Sequence, residues 1–306
     1  MADFPGKMSM KRRLEAVGHW FFYMTMRVFG HGGGSLLLVP VIFTYVLFSH
    51  RIRGTVRPYL AHRFPGEGAW KYWWYTYKNV LSFGQVLVDR GWIGLTGDSS
   101  FTGEFIGYDR LVDLIKKGKG VVLLTAHVGN WQAALAHLDG LPVKVHALMR
   151  YDRQAVAKHF FDIGGKRSFE IIDADGPFGG MIDAAAALQR GEVVTIMGDR
   201  LTGGSSSTVE FLGESMSLPD AAYLLAATAG APVVVLLAAK TGRKTYQLKV
   251  WDYFYPGYED RSKRAQMLRE CAEKYIAAIE QYLLQYPFQW YNFYNIWKQQ
   301  EKKQEK

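Results

Sequence analysis

An apolar run that ends at a histidine constrains this chain more than any other feature. Between Gly120 and Gly129 the sequence reads Val121-Val122-Leu123-Leu124-Thr125-Ala126-His127-Val128, and Asn130-Trp131-Gln132 follow. A short, β-branched apolar run bounded by glycines predicts a strand buried on both faces, as in parallel or mixed sheets. In such sheets ligands bind beyond the carboxyl ends of the strands, where the next helix begins. His127 falls at that place. An imidazole there can act as a general base, because histidine ordinarily titrates near working pH. Gly129-Asn130, at an expected helix start, would offer backbone N–H groups to a developing anion. A lone histidine is otherwise a satisfied structural residue; here its strand-end position and its neighbours favour the base.

The same pattern repeats downstream. Strands are expected at Val121–Thr125, Val143–Met149, Phe169–Ile172, Val193–Met197, Pro232–Leu237 and Tyr246–Trp251. Helices are expected at Tyr108–Lys116, Trp131–Leu138, Arg153–Asp162, Phe178–Gln189, Ala221–Thr228 and Arg261–Tyr286. Helices between strands require crossover connections, which predicts an α/β fold with a mixed, largely parallel central sheet flanked by helices. No internal repeat is present, and the charged tail 298–306 is expected to fray.

The amino-terminal region has a different character. Residues 1–18 are polar and basic, and two apolar blocks follow, Trp20–Phe29 and Leu36–Phe48, separated by Gly30-His31-Gly32-Gly33-Gly34. Neither block alone supplies the ~20 apolar residues that cross a bilayer core; together they could make one interrupted span or a shallow re-entrant hairpin. Arg51, Arg53, Arg57 and Arg63 follow the second block, so basic residues stand at both ends. Positive charge prefers the cytoplasmic side, so a hairpin with the glycines at its bend, or a surface-lying anchor, is favoured over a simple crossing. A buried helix pair is the alternative, and a cleaved signal peptide does not fit. From Arg57 to Asp89 a helical stretch interleaves rings and lysines around Trp70, Trp73, Trp74 and Tyr77. Beside an apolar anchor this reads as an interfacial belt with snorkelling lysines, in preference to a platform for stacking nucleic-acid bases. Aromatic residues make up 15% of the chain and the formal charge is +9, which favours acidic partners such as anionic lipid or an acidic carrier protein. The single cysteine, Cys271, excludes an internal disulfide and is assigned to a helix interior. The division expected is 1–50 for the basic terminus and anchor, 51–297 for the α/β domain and 298–306 for the tail.

Several blocks, taken together, resemble one family. The segment Ala126-His127-Val128-Gly129-Asn130-Trp131-Gln132 resembles the motif of the lysophospholipid acyltransferase superfamily, in the branch related to the late acyltransferases of bacterial lipid A biosynthesis. Arg51–Leu60 resembles the region after that family's anchor, and Arg150 its second block, where an arginine closes a strand. Val209-Glu210-Phe211-Leu212-Gly213 with Pro219, and Gly230-Ala231-Pro232-Val233-Val234, resemble its third and fourth blocks in order and spacing. Gln289-Trp290-Tyr291-Asn292-Phe293 resembles its Trp-rich ending, where core packing or an acyl-tunnel wall is the expected role. Gly164-Gly165-Lys166-Arg167-Ser168 looks like a phosphate loop but lacks its upstream glycine.

The resemblance implies a membrane-attached acyltransferase at the cytoplasmic face of a bacterial inner membrane. It would move a fatty acyl chain from an acyl-carrier-protein or coenzyme A thioester to a lipid or glycolipid acceptor. No metal, bound organic cofactor or nucleic acid is implied. His127 would be the base, and Asp199, in Gly198-Asp199-Arg200, would orient His127 or an acceptor hydroxyl. Gly129 and Asn130 would face the oxyanion, Arg150 would grip a phosphate, and Arg200 would meet an anionic headgroup. The chain lacks a Gly-x-Ser-x-Gly elbow, so direct attack by the acceptor is expected. One position departs from the motif: the family carries an acid after four intervening residues, and here Gln132 stands. In the serine-protease triad the corresponding loss of an acid costs about 10⁴ in turnover. The departure leaves four readings: a slow natural variant, a substitute carboxylate (Asp199 first, Asp139 second), a catalytically silent lipid-binding protein, or an engineered Glu→Gln change.

Overall fold

The apolar run before His127 forms a strand, β2 (Val121–Thr125), and its first four residues are buried. It sits at the centre of a seven-stranded sheet in a computed structural model that describes residues 10–97, 100–130, 137–150, 169–201 and 203–299. The other strands are β1 (Thr102–Ile106), β3 (Val145–Met149), β4 (Glu170–Asp173), β5 (Val193–Met197), β8 (Val233–Lys240) and β9 (Thr245–Phe254). Their order is β1-β9-β8-β2-β5-β3-β4. From β8 through β4 every pairing is parallel, and β9 runs antiparallel to β8. The mixed, largely parallel sheet expected from the strand–helix alternation is therefore the one observed.

Alternation of side chains along the strands divides the core. Val122, Leu124, Val194 and Val235 face one layer with α5 (Met181–Gln189), α6 (Ala221–Ala229) and α7 (Arg264–Gln285). Val121, Leu123, Val234 and Leu236 face the other with α4 (Tyr108–Lys116), which contributes Leu111, Leu114 and Ile115 at helical spacing. Fully buried rings such as Tyr223, Tyr275 and Tyr282 anchor the first layer, each contributing roughly 1.5–3 kcal/mol by the usual scale for large side chains.

The expected elements that fall on described residues appear with ends shifted by a few residues. The aromatic-basic stretch becomes two helices, α2 (His50–Arg63) and α3 (Ala69–Thr96). Two features were not anticipated. One is β1, an exposed edge strand with little apolar signal. The other is a hairpin of β6 (Ser206–Phe211) and β7 (Glu214–Pro219), which turns through Leu212 and Gly213, both at positive φ. The expected helix 153–162, the phosphate-loop-like segment and most of 131–138 lie outside the described residues.

The amino-terminal region corrects one expectation. The two apolar blocks do not fold back at the glycines. They form one helix, α1 (Met10–Phe48), kinked at Gly30, whose φ of 68° only glycine adopts readily. α1 lies antiparallel along α3: Met26 meets Val88 and Gly91, Leu38 meets Gly84, and Phe43 meets Trp73 and Tyr77. Trp20–Phe48 is long and apolar enough to cross a membrane. Its outward side chains, among them Trp20, Phe21, Phe29, Leu36 and Phe48, are exposed.

Candidate active site

His127 leaves the sheet two residues after β2, at the same edge as Asp199 after β5 and Arg150 after β3. Its ring donates from Nδ1 to Asp199 Oδ1 at 2.7 Å, and its backbone N–H donates to Oδ2 at 2.9 Å. With Nδ1 carrying the proton, Nε2 keeps its lone pair and can accept one. The His127 side chain is 22% exposed while that of Asp199 is 1% exposed, so only the base reaches solvent.

Asp199 is held by two more donors. Trp290 Nε1 and Asn292 Nδ2 donate to Oδ2 at 3.1 and 2.9 Å. Burial would raise its pKa. The His127 ring, the two bonds from that residue and the nearby Arg200 guanidinium outweigh it, holding the carboxyl well below the ordinary carboxylate range. The pair is therefore an anion clamping an imidazole, with its second oxygen fully engaged.

The carboxy-terminal segment, expected to pack the core or wall an acyl tunnel, supplies this scaffold. Val128 and Trp290 form an isolated antiparallel bridge, and Tyr291 N–H donates to His127 O at 2.8 Å. Asn79 on α3 holds the carbonyls of Phe288 and Trp290. Gln289 brackets Lys240, taking its N–H and giving to its C=O. Tyr275 of α7 caps Thr125 O at 2.7 Å. The available signal was a set of amide side chains, Gln289, Asn292 and Asn295, inside an otherwise aromatic cluster; such groups are buried only when bonded.

The remaining anticipated residues fall into distinct places. Gly129 has φ 49°, and a Cβ there would lie 2.0 Å from Ala238 O, so its lack of a side chain lets the turn press on β8. Its N–H donates to Gln289 O, and that of Val128 to Ala126 O, so neither amide faces an oxyanion. Asn130 is buried beside the Tyr246 hydroxyl. Arg200 turns inward, with Nε on Asn292 Oδ1 at 2.6 Å and Nη2 on Tyr291 O at 3.0 Å, so it braces the scaffold of Asp199. Arg150 is 71% exposed and pairs with Asp175 at 3.0 Å, a surface contact free to exchange partners. Gln132 and the Asp139 side chain lie outside the described residues. Burial pushes the Cys271 thiol up to about 11, which suits an inert core residue.

A buried carboxylate bonded to a partly exposed imidazole at the carboxyl ends of parallel strands is an arrangement able to accept a proton. In comparison with known families, residues 52–299 match the family described as bacterial lipid A biosynthesis acyltransferase. Among curated proteins, none matches the chain.

Proposed function

The chain belongs to the bacterial lipid A biosynthesis acyltransferase family, and on that premise we propose that it transfers a fatty acyl chain from a thioester donor to the hydroxyl of a lipid or glycolipid. The donor is an acyl chain on acyl carrier protein or coenzyme A; the basic charge of the chain suits either. The observation that carries the reading is the His127–Asp199 pair at 2.7 Å.

The chemistry follows from that pair. The acceptor hydroxyl gives its proton to His127 Nε2 as its oxygen attacks the thioester carbonyl carbon. Asp199 fixes the tautomer and offsets the charge of the imidazolium. The tetrahedral adduct collapses, the carbon–sulfur bond breaks, and the imidazolium returns the proton to the departing thiolate. Acceptor and donor react directly, so no covalent enzyme intermediate is needed. A silent lipid-binding role was motivated by Gln132 alone. A carboxylate on Nδ1 supports the active reading, because it supplies the charge that Gln132 lacks.

Association with a cytoplasmic membrane face is part of the proposal. The exposed outer side chains of α1 support an interfacial placement, and so does the buried polar contact at its midpoint, where His31 Nε2 lies 2.6 Å from Asp89 of α3. A crossing helix would put lipid around that midpoint; here it is bound to the domain.

The test is to incubate the purified full chain with acyl-carrier-protein and coenzyme A thioesters and bacterial lipid, then follow the product by mass spectrometry. Wild type is expected to form an acylated lipid and His127→Ala none; product formed by His127→Ala would remove the base from the mechanism.

A further inference from the structure

Two clefts of about 370 and 330 Å³, neither lined by His127, adjoin along one face of α3 beside Gln289. They share Ser82, Gln85 and Gln289, so they form one groove. Lys78, Leu81, Ser82, Gln85 and Asp89 line it at helical spacing. By the helical rise the groove covers about 16 Å of the α3 axis. Its combined size falls in the usual range for small-ligand sites.

The two ends differ chemically. One lies under the midpoint of α1 and is walled by Ser35, Lys240, Thr241 and Arg243. Asp89 is its carboxylate, but it is only 1% exposed and is engaged by His31, Lys240 and the Tyr246 hydroxyl. The Arg243 guanidinium, in contrast, is exposed and paired with no carboxylate among the described residues. It rests on α1 where Gly32 leaves room: a Cβ there would lie 2.4 Å from Nη2. The Gln85 amide at the same end bonds to no other described residue. The other end is walled by Leu81, Pro287 and Phe288 and is also lined by Lys78, whose ammonium lies over the Phe288 ring at 5.2 Å.

We propose that this groove is a second binding site, which takes a phosphate-bearing amphiphile with its anionic head against Arg243 and Gln85 and its tail along Leu81 and Phe288. The head end has an unpartnered guanidinium and an unpartnered amide, the donors a phosphate needs. An apolar compartment next to it has no use for a free inorganic ion, so a lipid fits the whole groove better than phosphate alone. The head end of the groove adjoins α1, the helix with the exposed apolar face, through Ser35, which places it where a membrane lipid would enter. This site is separate from His127, and its occupancy does not depend on acyl transfer.

The experiment is calorimetric titration of the full chain in detergent with three probes: short-chain phosphatidic acid, short-chain phosphatidylcholine and inorganic phosphate. Saturable binding of the phosphatidic acid is expected, with at least tenfold loss in Arg243→Ala and in Gln85→Leu, the loss expected for one charge-assisted hydrogen bond. Arg261→Ala, at an exposed position on another element, should leave it unchanged, as should His127→Ala. Inorganic phosphate binding as tightly as the lipid would overturn the lipid assignment in favour of the free ion. An affinity insensitive to both Arg243→Ala and Gln85→Leu would overturn the site itself. Loss of binding in His127→Ala would place the lipid at the acyl-transfer site and overturn the proposal equally.

Discussion

Asp199 accepts four donors: one oxygen takes His127 Nδ1, the other takes three. A buried carboxylate so enclosed stays ionised, and this makes a prediction about stability. Its folded pKa is lowered, so the stability it contributes is full above its unfolded value, ~4, and is lost as the pH falls from there toward the folded value. Thermal unfolding of wild type and Asp199→Asn should therefore differ most above pH ~5 and converge in acid. A gap that widens below pH ~4 would contradict the ionised assignment. Asn292 is the second residue to examine, because it donates to Asp199 and accepts from Arg200. Asn292→Leu leaves Arg200 Nε without that acceptor, at a cost of roughly 1–3 kcal/mol. Its kcat should fall about tenfold through a less well-held imidazole, with KM little changed, an expectation based on one lost hydrogen bond. A variant that loses stability but keeps full kcat would reduce Asn292 to a structural role.

Among the elements, legibility followed the strength of the local pattern. β2 and β5 were readable to the residue, because both are apolar runs stopped by a turn and buried on both faces. The edge strand β1 is mostly exposed and carries no such pattern. The β6–β7 hairpin did alternate, with Val209, Phe211, Met216 and Leu218 buried, but the same residues were read for their resemblance to a family block instead of for their period. His127 and Asp199 were legible because strand ends mark the active edge. Trp290 and Asn292 were not, because they reach the site through long-range contacts that a one-dimensional pattern cannot express. α1 illustrates the same limit. Its glycine run reads as a bend, but His31 finds Asp89, 58 residues away in sequence, and the helix continues through a kink. If the exposed face of α1 meets lipid, Phe29→Asp and Leu36→Asp together should sharply weaken vesicle co-flotation and leave thermal stability unchanged. Both side chains are 72% exposed, and each would withdraw roughly 1.5–3 kcal/mol of apolar insertion. Undiminished flotation would remove α1 as the anchor.

At the scale of the whole molecule, a parallel sheet, a helical layer and a carboxy-terminal strap converge on one turn. The sheet delivers His127 and Asp199 to a common edge, the strap from Gln289 to Asn292 bonds both, and α3 holds the strap while supporting α1. The proposed anchor is thus joined to the proposed base through a short chain of buried contacts. The central claim is that the carboxylate across the sheet edge, and not Gln132 at the position of the family's acid, supports catalysis. Single-turnover acyl transfer by wild type, Asp199→Asn and Gln132→Glu, on whichever thioester and lipid the wild type accepts, tests this most directly. The account predicts a fall of about 10³–10⁴ in rate for Asp199→Asn, by analogy with loss of the triad acid, and a Gln132→Glu rate close to wild type. An Asp199→Asn rate within tenfold of wild type, or a large gain from Gln132→Glu, would contradict it.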